Sequence, residues 1–284
     1  MRKNIKITAG VAATAALALG LTACGTASDP SSKDGAASAD KPLVIGATPT
    51  PQADILNFVK DNLAEKAGLK LEVKEFTDYV LPNTATDAGQ IDANYFQHQP
   101  YLDDFNKKKG TDLTSVATVH LEPLGIYSKK VHALKDIKAG QTVAVPNDTT
   151  NEGRALHLLA DNGLITLKKG VGTDASLADI TDKKGLEFKE LDAATVPRAL
   201  NDVDAAVING NFAIGAKLQP AKDAIVLEKA EGNPYANIVV VKKGNEKDAR
   251  VTKLVELLHS PEVKKFIEDH YDGAVVPAFG TTAK

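Results

Sequence analysis

Apolar and polar positions follow two different spacings along the chain, and the first clear change lies at residue 43. The apolar run Leu43–Gly46 predicts a short buried strand. Thr50 and Pro51 are typical of a helix start, and the apolar residues after them recur at helical spacing: Ile55, Leu56, Val59 and Leu63. Gly68 is placed to end this helix, and "LKLEVKEF" then alternates as a second strand. This order predicts a parallel sheet with a right-handed crossover.

A second region repeats this plan. "QTVAVPND" is strand-like, residues 149–164 have helical periodicity, and "LEFKELDA" and "VDAAVING" alternate as strands. Both halves end in an Asp-Ala strand, "IDANYF" in the first and "VDAAVINGNF" in the second. The strand "NIVVVKKG" and two amphipathic helices, "KDARVTKLVELLHS" and "PEVKKFIEDHY", follow. The pattern predicts an α/β fold of two similar lobes, with a cleft at the carboxyl ends of their strands.

The first 23 residues do not fit a packed domain. Three basic residues precede an apolar run, Ile7–Leu21, that is shorter than the about 20 residues a membrane-spanning helix needs. Small residues follow, so the segment 1–23 is predicted to be a secretory signal peptide. The run Leu21-Thr22-Ala23-Cys24 resembles the bacterial lipobox, which implies cleavage before Cys24 and a lipid on its sulfur. Cys24 is the only cysteine, so no disulfide within the chain is possible.

Composition narrows the class of protein further. Residues 24–42 are rich in Ser, Ala, Gly, Asp and Lys without apolar periodicity, which predicts a flexible, lipidated tether. The formal net charge of −3 becomes −6 once the three basic residues of the signal are removed, which argues against nucleic acid as a partner. The sequence holds no cysteine and histidine cluster with the spacing of a zinc site.

Aromatic residues make up only 5% of the chain, yet several of them cluster beside a strand end. Tyr79, Tyr95, Phe96 and Tyr101 lie close together in sequence, with His98 among them. One interpretation is ordinary core packing with His98 as a hydrogen-bonded surface residue. The alternative is a ligand pocket, because α/β proteins bind ligands at the carboxyl ends of strands.

A second candidate is the helix start in "VAVPNDTTNEGRAL", which contains Asn151 and Arg154. Free backbone N–H groups and the helix dipole favour an anion there, and an arginine adds a bidentate partner for a carboxylate. The alternative is a capped helix with Arg154 in a surface salt bridge, which contributes little.

A third group consists of asparagines beside apolar strands. Asn209 and Asn211 follow one strand and Asn237 opens another. The asparagine side chain offers both a donor and an acceptor, which suits a zwitterion. The alternative is that these asparagines only form turns, in which Asn is a common residue.

Motifs of the common enzyme classes are missing from the sequence. It contains no GxSxG, Walker A or HExxH motif. The histidines are scattered, without metal-ligand spacing, at His98, His120, His132, His157, His259 and His270. Glu122 and Asp78 are the acids most suited to a cleft, and neither has an obvious partner. A cell-surface hydrolase using His98 and a surface adhesin without a ligand stay as alternatives.

Several long motifs, in one order, resemble those of the NlpA/MetQ lipoproteins, the substrate-binding components of methionine ABC importers. They are "FTDYVLPNTATDAGQIDANYFQHQPYL", "YSKK", "VAVPNDTTNEGRAL", "AVINGNFA" and "NPYANIVVV". The resemblance runs from Leu43 to Phe279. It implies a two-lobed, type II periplasmic-binding-protein fold, with crossover strands near "LEPLGIYSKK" and "YANIVVVKK". The first lobe would comprise residues 43–125 and 237–284, and the second would comprise residues 126–236.

The resemblance also implies a site and a function. Tyr79, Phe96, His98 and Tyr101 would form the pocket for the methionine side chain. Arg154, helped by Asn151, would bind the α-carboxylate, while Asn237 and one of Asn209 and Asn211 would take the ammonium and carboxylate.

The implied protein is a monomer without cofactor, metal or enzymatic activity. It is lipid-anchored on the extracytoplasmic face of the cell membrane and delivers L- or D-methionine to an ABC permease and its ATPase. Another small amino acid or a short peptide is the alternative ligand.

Overall fold

A computed structural model of the chain describes residues 41–281. The predictions of a signal peptide at 1–23, a lipid on Cys24 and most of the tether 24–42 lie outside the described residues. Among the helices that it does describe, none is both long and apolar enough to cross a membrane.

Strands occur throughout the described residues. They are β1 (Leu43–Ala47), β2 (Leu71–Glu75), β3 (Ala93–His98), β4 (Leu113–Leu121), β5 (Gly125–Tyr127), β6 (Thr142–Pro146), β7 (Thr166–Leu167), β8 (Ile180–Asp182), β9 (Glu187–Leu191), β10 (Ala205–Ile208), β11 (Ala224–Leu227), β12 (Asn237–Lys242) and β13 (Val276–Thr281).

Most α-helices follow a strand. They are α1 (Asp54–Val59), α2 (Leu81–Asp87), α3 (Gln99–Lys109), α4 (Thr149–Asp161), α5 (Val196–Ala199), α6 (Gly210–Gly215), α7 (Pro220–Asp223), α8 (Ala249–Leu258) and α9 (Pro261–Tyr271). The π-helical turns Pro49–Ala53 and Lys60–Ala64 flank α1, and the 3₁₀ turns are Leu134–Asp136 and Leu177–Asp179.

The first lobe is built on a six-stranded sheet with the order β13-β4-β12-β3-β1-β2. β1 lies parallel to β2 and β3, with Ile45 opposite both Val73 and Ala93, which confirms the parallel pairing predicted from the first strand-helix-strand unit. β12 is antiparallel to β3 and β4. The apolar positions of α1, α8 and α9 pack against this sheet, and Ile55, Leu254 and Ile267 are fully buried there.

The second lobe is built on a five-stranded sheet with the order β11-β5-β10-β6-β9. β6 lies parallel to β9 and β10, and β5 is antiparallel to β10 and β11. Leu156 and Leu159 of α4 are buried against one face, and Val196 of α5 is buried against the other. β7 and β8 form a separate antiparallel pair.

The chain passes between the lobes twice, through segments that are not strands. β4 ends at Leu121 in the first sheet and β5 begins at Gly125 in the second, so residues 122–124 cross the gap. β11 ends at Leu227 and β12 begins at Asn237, so residues 228–236 cross back. The crossings lie where the resemblance implied crossover strands, but each is an irregular segment joining two strands. Polar side chains on them therefore lie between the sheets.

The ends of three strands position the functional region. β3, β6 and β10 each lead within a few residues into a helix, α3, α4 and α6 respectively. The N-termini of these helices are therefore brought to the gap between the two lobes, where free backbone donors accumulate.

Candidate functional site

A cavity lies between the lobes, where β3, β10 and β12 meet the starts of α3, α4 and α6. About 350 Å³ of space not filled by atoms lies there, part of it open to solvent. Every ligand-binding residue predicted from the sequence lines it, together with three residues that were not predicted to bind ligand. The lining residues are Tyr79, Phe96, Gln97, His98, Tyr101, Glu122, Asn151, Arg154, Asn209, Gly210, Asn211 and Asn237.

One wall of the cavity is aromatic. The rings of Tyr79, Phe96 and Tyr101 lie with centroids 5.9–6.0 Å apart, in edge-on or tilted contacts. The Tyr101 hydroxyl donates to the backbone oxygen of Tyr79 at 2.9 Å. Burial raises the pKa of both tyrosines, so their hydroxyl groups stay protonated. This wall presents ring edges and faces to whatever occupies the cavity. The interpretation of Phe96 as core packing alone is incomplete, because Phe96 also lines the cavity. Tyr95 does not line it and lies in the core.

His98 ends β3 and caps α3. Its Nδ1 accepts the backbone N–H of Tyr101 at 3.2 Å, so the ring proton lies on Nε2, which donates to Asn151 Oδ1 at 3.2 Å. Burial, and then the positive charge of Arg154, lowers the pKa of His98 to about 3. His98 is only 5% exposed, so it is not the surface histidine of the alternative interpretation. It is a neutral donor that connects the two lobes.

Asn151 and Asn209 form a linked pair at the start of α4. Asp148 caps this helix by accepting from the backbone and side-chain N–H groups of Asn151. This fixes Asn151 Oδ1 as an acceptor, and Asn209 Nδ2 donates to it at 2.8 Å. Asn209 Oδ1 is then left buried without a hydrogen-bond partner within the described residues. A buried acceptor of this kind costs free energy until a donor reaches it.

Arg154 lies on α4 and is only 4% exposed. Its Nε and Nη2 donate to the Glu228 carboxylate at 2.5–3.1 Å, and Nη2 also donates to the backbone oxygen of Glu122 at 2.9 Å. The guanidinium stacks on the Tyr235 ring at 4.4 Å. The surface salt bridge of the alternative interpretation is therefore wrong, because Arg154 is buried and the Glu228 side chain is only 15% exposed. Nη1 makes no hydrogen bond within the described residues, so this nitrogen of the guanidinium group is available to a ligand.

Glu122 was considered from the sequence as a cleft acid without a partner, and the structure supplies its partners. Its Oε1 accepts from His120 Nε2 at 2.8 Å and from Gln52 Nε2 at 2.7 Å. Its Oε2 lies close to Gly210, and both residues line the cavity. Glu122 is 5% exposed, and the arginine of the cavity is paired with Glu228 instead. The site therefore contains a buried carboxylate without a strong cation beside it, and no sequence motif marked it.

Asn211 and Asn237 line the cavity in different ways. Asn211 Oδ1 accepts from the Tyr79 hydroxyl at 2.6 Å, a hydrogen bond that joins the second lobe to the first. Asn237 Oδ1 accepts from Gln52 Nε2 at 2.9 Å. Gln52 is buried within the π-helical turn before α1, where sequence periodicity gave no reason to expect a polar contact.

Asp78 does not line this cavity. Its Oδ1 accepts from the backbone N–H groups of Val80 and Leu81, in the turn that leads into α2. Within residues 41–281, no group of three or more His, Cys, Asp or Glu side chains is arranged to hold a metal ion. The cavity thus offers hydrogen bonds and charge to an organic ligand.

Comparison with known proteins places the chain among bacterial lipoproteins. It is 46% identical over 263 residues to the methionine-binding lipoprotein MetQ of Bacillus subtilis (strain 168), with 90% of this chain and 93% of that protein covered. It is 41% identical to the D-methionine-binding lipoprotein MetQ of Salmonella typhimurium, with 82% and 86% covered.

Solved structures share the fold over almost all of their length. A nutrient binding protein from Burkholderia cenocepacia bound to methionine superposes with a TM-score of 0.81 at 46% identity, covering 84% of this chain and 100% of that chain. Lipoprotein Tp32 from Treponema pallidum superposes with a TM-score of 0.80 at 38% identity, with 84% and 100% covered. The fold is thus the two-lobed periplasmic-binding-protein type. The family model described as NlpA lipoprotein matches residues 43–279, and this chain belongs to that family.

Proposed function

We propose that this protein is a lipid-anchored substrate-binding protein that captures methionine between its lobes and delivers it to the permease and ATPase of an ABC importer. One observation carries the proposal. The interlobe cavity is lined by the aromatic wall and also by an arginine and a carboxylate, Arg154 and Glu122. An α-amino acid with an apolar side chain combines the complementary groups, an apolar chain, an anion and a cation.

The charged groups suggest how the ligand is oriented. Its α-carboxylate would bind the unused Nη1 of Arg154, where a charge-assisted hydrogen bond is strong. Its ammonium would donate to Glu122 Oε2 and to the unpaired Asn209 Oδ1. The buried Glu122 carboxylate would then gain a cation, and the unpaired Asn209 oxygen would gain a donor. Asn151 and Asn237 complete the polar lining of the cavity.

The aromatic wall suits a thioether. Tyr79, Phe96 and Tyr101 present edges and faces to the cavity, and a sulfur beside an aromatic ring gains about 0.3–1.5 kcal/mol. Norleucine, with a methylene in place of the sulfur, should therefore bind less tightly than methionine. Homologues named for methionine or D-methionine binding support this ligand.

A hydrolytic role for His98 finds no support. A general base works best with a pKa near the operating pH, and the pKa of His98 is about 3. Its Nδ1 already accepts a backbone N–H, and its Nε2 donates to Asn151. The homologues are binding proteins, so transport without chemistry on the ligand is the simpler role.

Membrane anchoring rests on the N-terminal sequence and on the family. Acyl chains on Cys24 would hold the protein at the extracytoplasmic face, since two or more chains anchor stably. The Cys24→Ser variant should be released into the soluble fraction, while its methionine affinity stays unchanged. Retention of this variant in the membrane would contradict the anchor.

Calorimetry tests the ligand. The protein is unfolded and refolded to remove bound molecules, then titrated with L-methionine, D-methionine, norleucine and glycyl-methionine. We expect heat with at least one methionine isomer and weaker binding of norleucine. Heat only with another amino acid or with the dipeptide would favour the alternative ligand within the family. Mass spectrometry of the recovered ligand should show it unchanged, and a chemically altered product would indicate an enzyme.

A further inference from the structure

Two buried polar side chains, those of Tyr95 and His120, form a hydrogen-bonded row that ends at Glu122. Neither of them lines the cavity. The Tyr95 hydroxyl is hydrogen-bonded to His120 Nδ1, and the two rings meet edge to face with centroids 5.3 Å apart. His120 Nε2 is 2.8 Å from Glu122 Oε1. Tyr95 and His120 are both completely buried. Neither residue has a packing role that requires a polar atom there, so the row needs another explanation.

The direction of the hydrogen bonds follows from the chemistry of the groups. Burial, and then the negative charge of Glu122, raises the pKa of Tyr95 well above its ordinary value, so its hydroxyl keeps its hydrogen. That hydrogen is donated to His120 Nδ1. Glu122 Oε1 is a carboxylate oxygen and can only accept, so His120 Nε2 carries a proton and donates to it.

This arrangement determines which oxygen of Glu122 is available. Oε1 receives two donors, from His120 and from Gln52. Gln52 is itself fixed, because its Oε1 accepts from Thr48 at 2.5 Å and its Nε2 also donates to Asn237. The carboxylate therefore cannot rotate without breaking these bonds, and Oε2, which lies beside Gly210 of the cavity lining, is the oxygen left for a ligand.

We propose that Tyr95 and His120 are positioning residues for recognition of the ligand's ammonium group, acting through Glu122. The Tyr95 hydroxyl selects the imidazole tautomer, His120 holds one carboxylate oxygen, and the other oxygen is presented to the ligand. Without the hydroxyl, the imidazole proton can move to Nδ1. A lone pair on Nε2 would then face the carboxylate, and Glu122 would turn or take up a proton. The inference rests on the proposed function, because it needs a ligand with an α-ammonium group.

The Tyr95→Phe variant tests this positioning, because it removes only the hydroxyl and keeps the ring. We expect methionine affinity to fall about tenfold, the size of a weakened hydrogen bond to a charged group. Affinity for 4-(methylthio)butanoate, which lacks the ammonium, should not change. Tyr127→Phe is the matched control, since Tyr127 is equally buried and its hydroxyl has no partner within the described residues.

Rescue distinguishes positioning from packing. A glutamine side chain carries an amide donor whatever its surroundings, so His120→Gln combined with Tyr95→Phe should bind methionine more tightly than Tyr95→Phe alone. Nitrogen NMR of the imidazole gives a readout that needs no ligand. It should show the Nε2–H tautomer of His120 in the parent protein and a mixture in Tyr95→Phe.

Each outcome has a separate meaning. A parent protein that binds no methionine overturns the proposed function. A parent protein that binds methionine, with Tyr95→Phe binding it equally well, overturns the positioning role alone. Equal weakening of methionine and of the analogue without an ammonium also overturns it, as does an Nδ1–H or doubly protonated His120.

Discussion

Arg154 is the residue whose charge is held most firmly in the cavity. Glu228 binds one edge of its guanidinium, the Tyr235 ring covers a face, and the backbone oxygen of Glu122 accepts from Nη2. These contacts fix the guanidinium plane before any ligand arrives. A preorganised donor loses little conformational entropy on binding, which favours tight recognition of a carboxylate.

Replacing Arg154 with alanine should therefore weaken methionine binding at least about 100-fold, since truncating one partner of a buried charged pair costs roughly 2–5 kcal/mol. Calorimetry measures the change. Binding of 3-(methylthio)propylamine, which has no carboxylate, should change far less. Thermal unfolding without ligand serves as the control for folding, because the variant leaves Glu228 without its partner. A loss of less than tenfold for methionine would contradict this placement of the carboxylate.

His98 makes stability depend on pH. Its pKa is about 3 in the folded protein and about 6.5 in an unfolded chain, so the unfolded state binds more protons between these values. Stability should therefore be complete above pH 6.5 and decrease as the pH falls, by about 2 kcal/mol at pH 5. Denaturant unfolding at several pH values measures this decrease. The His98→Gln variant should lack it, whereas substitution of the exposed His132 should leave it in place.

The residues found from the sequence and those missed differ in a physical way. Phe96, His98 and Arg154 lie at strand ends or helix starts, where a local pattern exposes them. Glu122 was expected as a cleft acid but without a partner, and Glu228 was not expected in the site. Both lie on the segments that cross between the lobes, and the partners Gln52 and Arg154 are 70 and 74 residues away from them in sequence. No periodicity marks such residues, because only the tertiary fold brings their partners together.

The start of α6 packs closely against Glu122, on the segment that crosses between the lobes. A Cβ atom placed on Gly210 would lie 2.6 Å from Glu122 Cβ and 3.0 Å from its Oε2. Real Cβ atoms do not approach other carbons to 2.6 Å, so only glycine allows this approach. Gly215, at the other end of the same helix, would place a Cβ no closer than 4.0 Å to Thr50.

The Gly210→Ala variant should consequently bind methionine at least about tenfold more weakly, because relieving a backbone-fixed overlap typically costs 1–3 kcal/mol. Titration with methionine tests this expectation. Gly215→Ala is the matched control and should bind normally. It should also be slightly more stable, since alanine favours a helix over glycine by up to about 1 kcal/mol. Equal affinities of the two variants would show that the close approach does not matter for binding.

Strands were predicted more successfully than helix starts. The first strand was expected at 43–46 and is observed at Leu43–Ala47, because a short apolar run in a parallel sheet has few alternatives. The first helix was expected from Thr50, but Thr50 has extended backbone angles and the regular helix begins at Asp54. The sequence did not predict α6, and turn chemistry was the alternative for its asparagine. The helix follows Asn209, whose side chain makes no capping hydrogen bond.

At the scale of the whole molecule, direct contacts join the lobes around the cavity. They connect Tyr79 with Asn211, His98 with Asn151, Arg154 with the backbone of Glu122, and Lys108 with Thr149. A ligand that touches both lobes favours the arrangement in which these contacts form. The lobes can separate only when these contacts break. We therefore expect the contacts to affect mainly the dissociation rate of the ligand.

The Tyr79→Phe variant tests this role, because its hydroxyl bonds Asn211 across the cleft while its ring stays in the aromatic wall. Losing one hydrogen bond of about 1 kcal/mol should speed methionine dissociation about fivefold and leave the association rate unchanged. Stopped-flow displacement measures both rates. Tyr101→Phe is the matched control, since its hydroxyl bonds Tyr79 within one lobe and should alter dissociation less. If both variants release methionine equally fast, the effect belongs to the pocket wall and not to contact between the lobes.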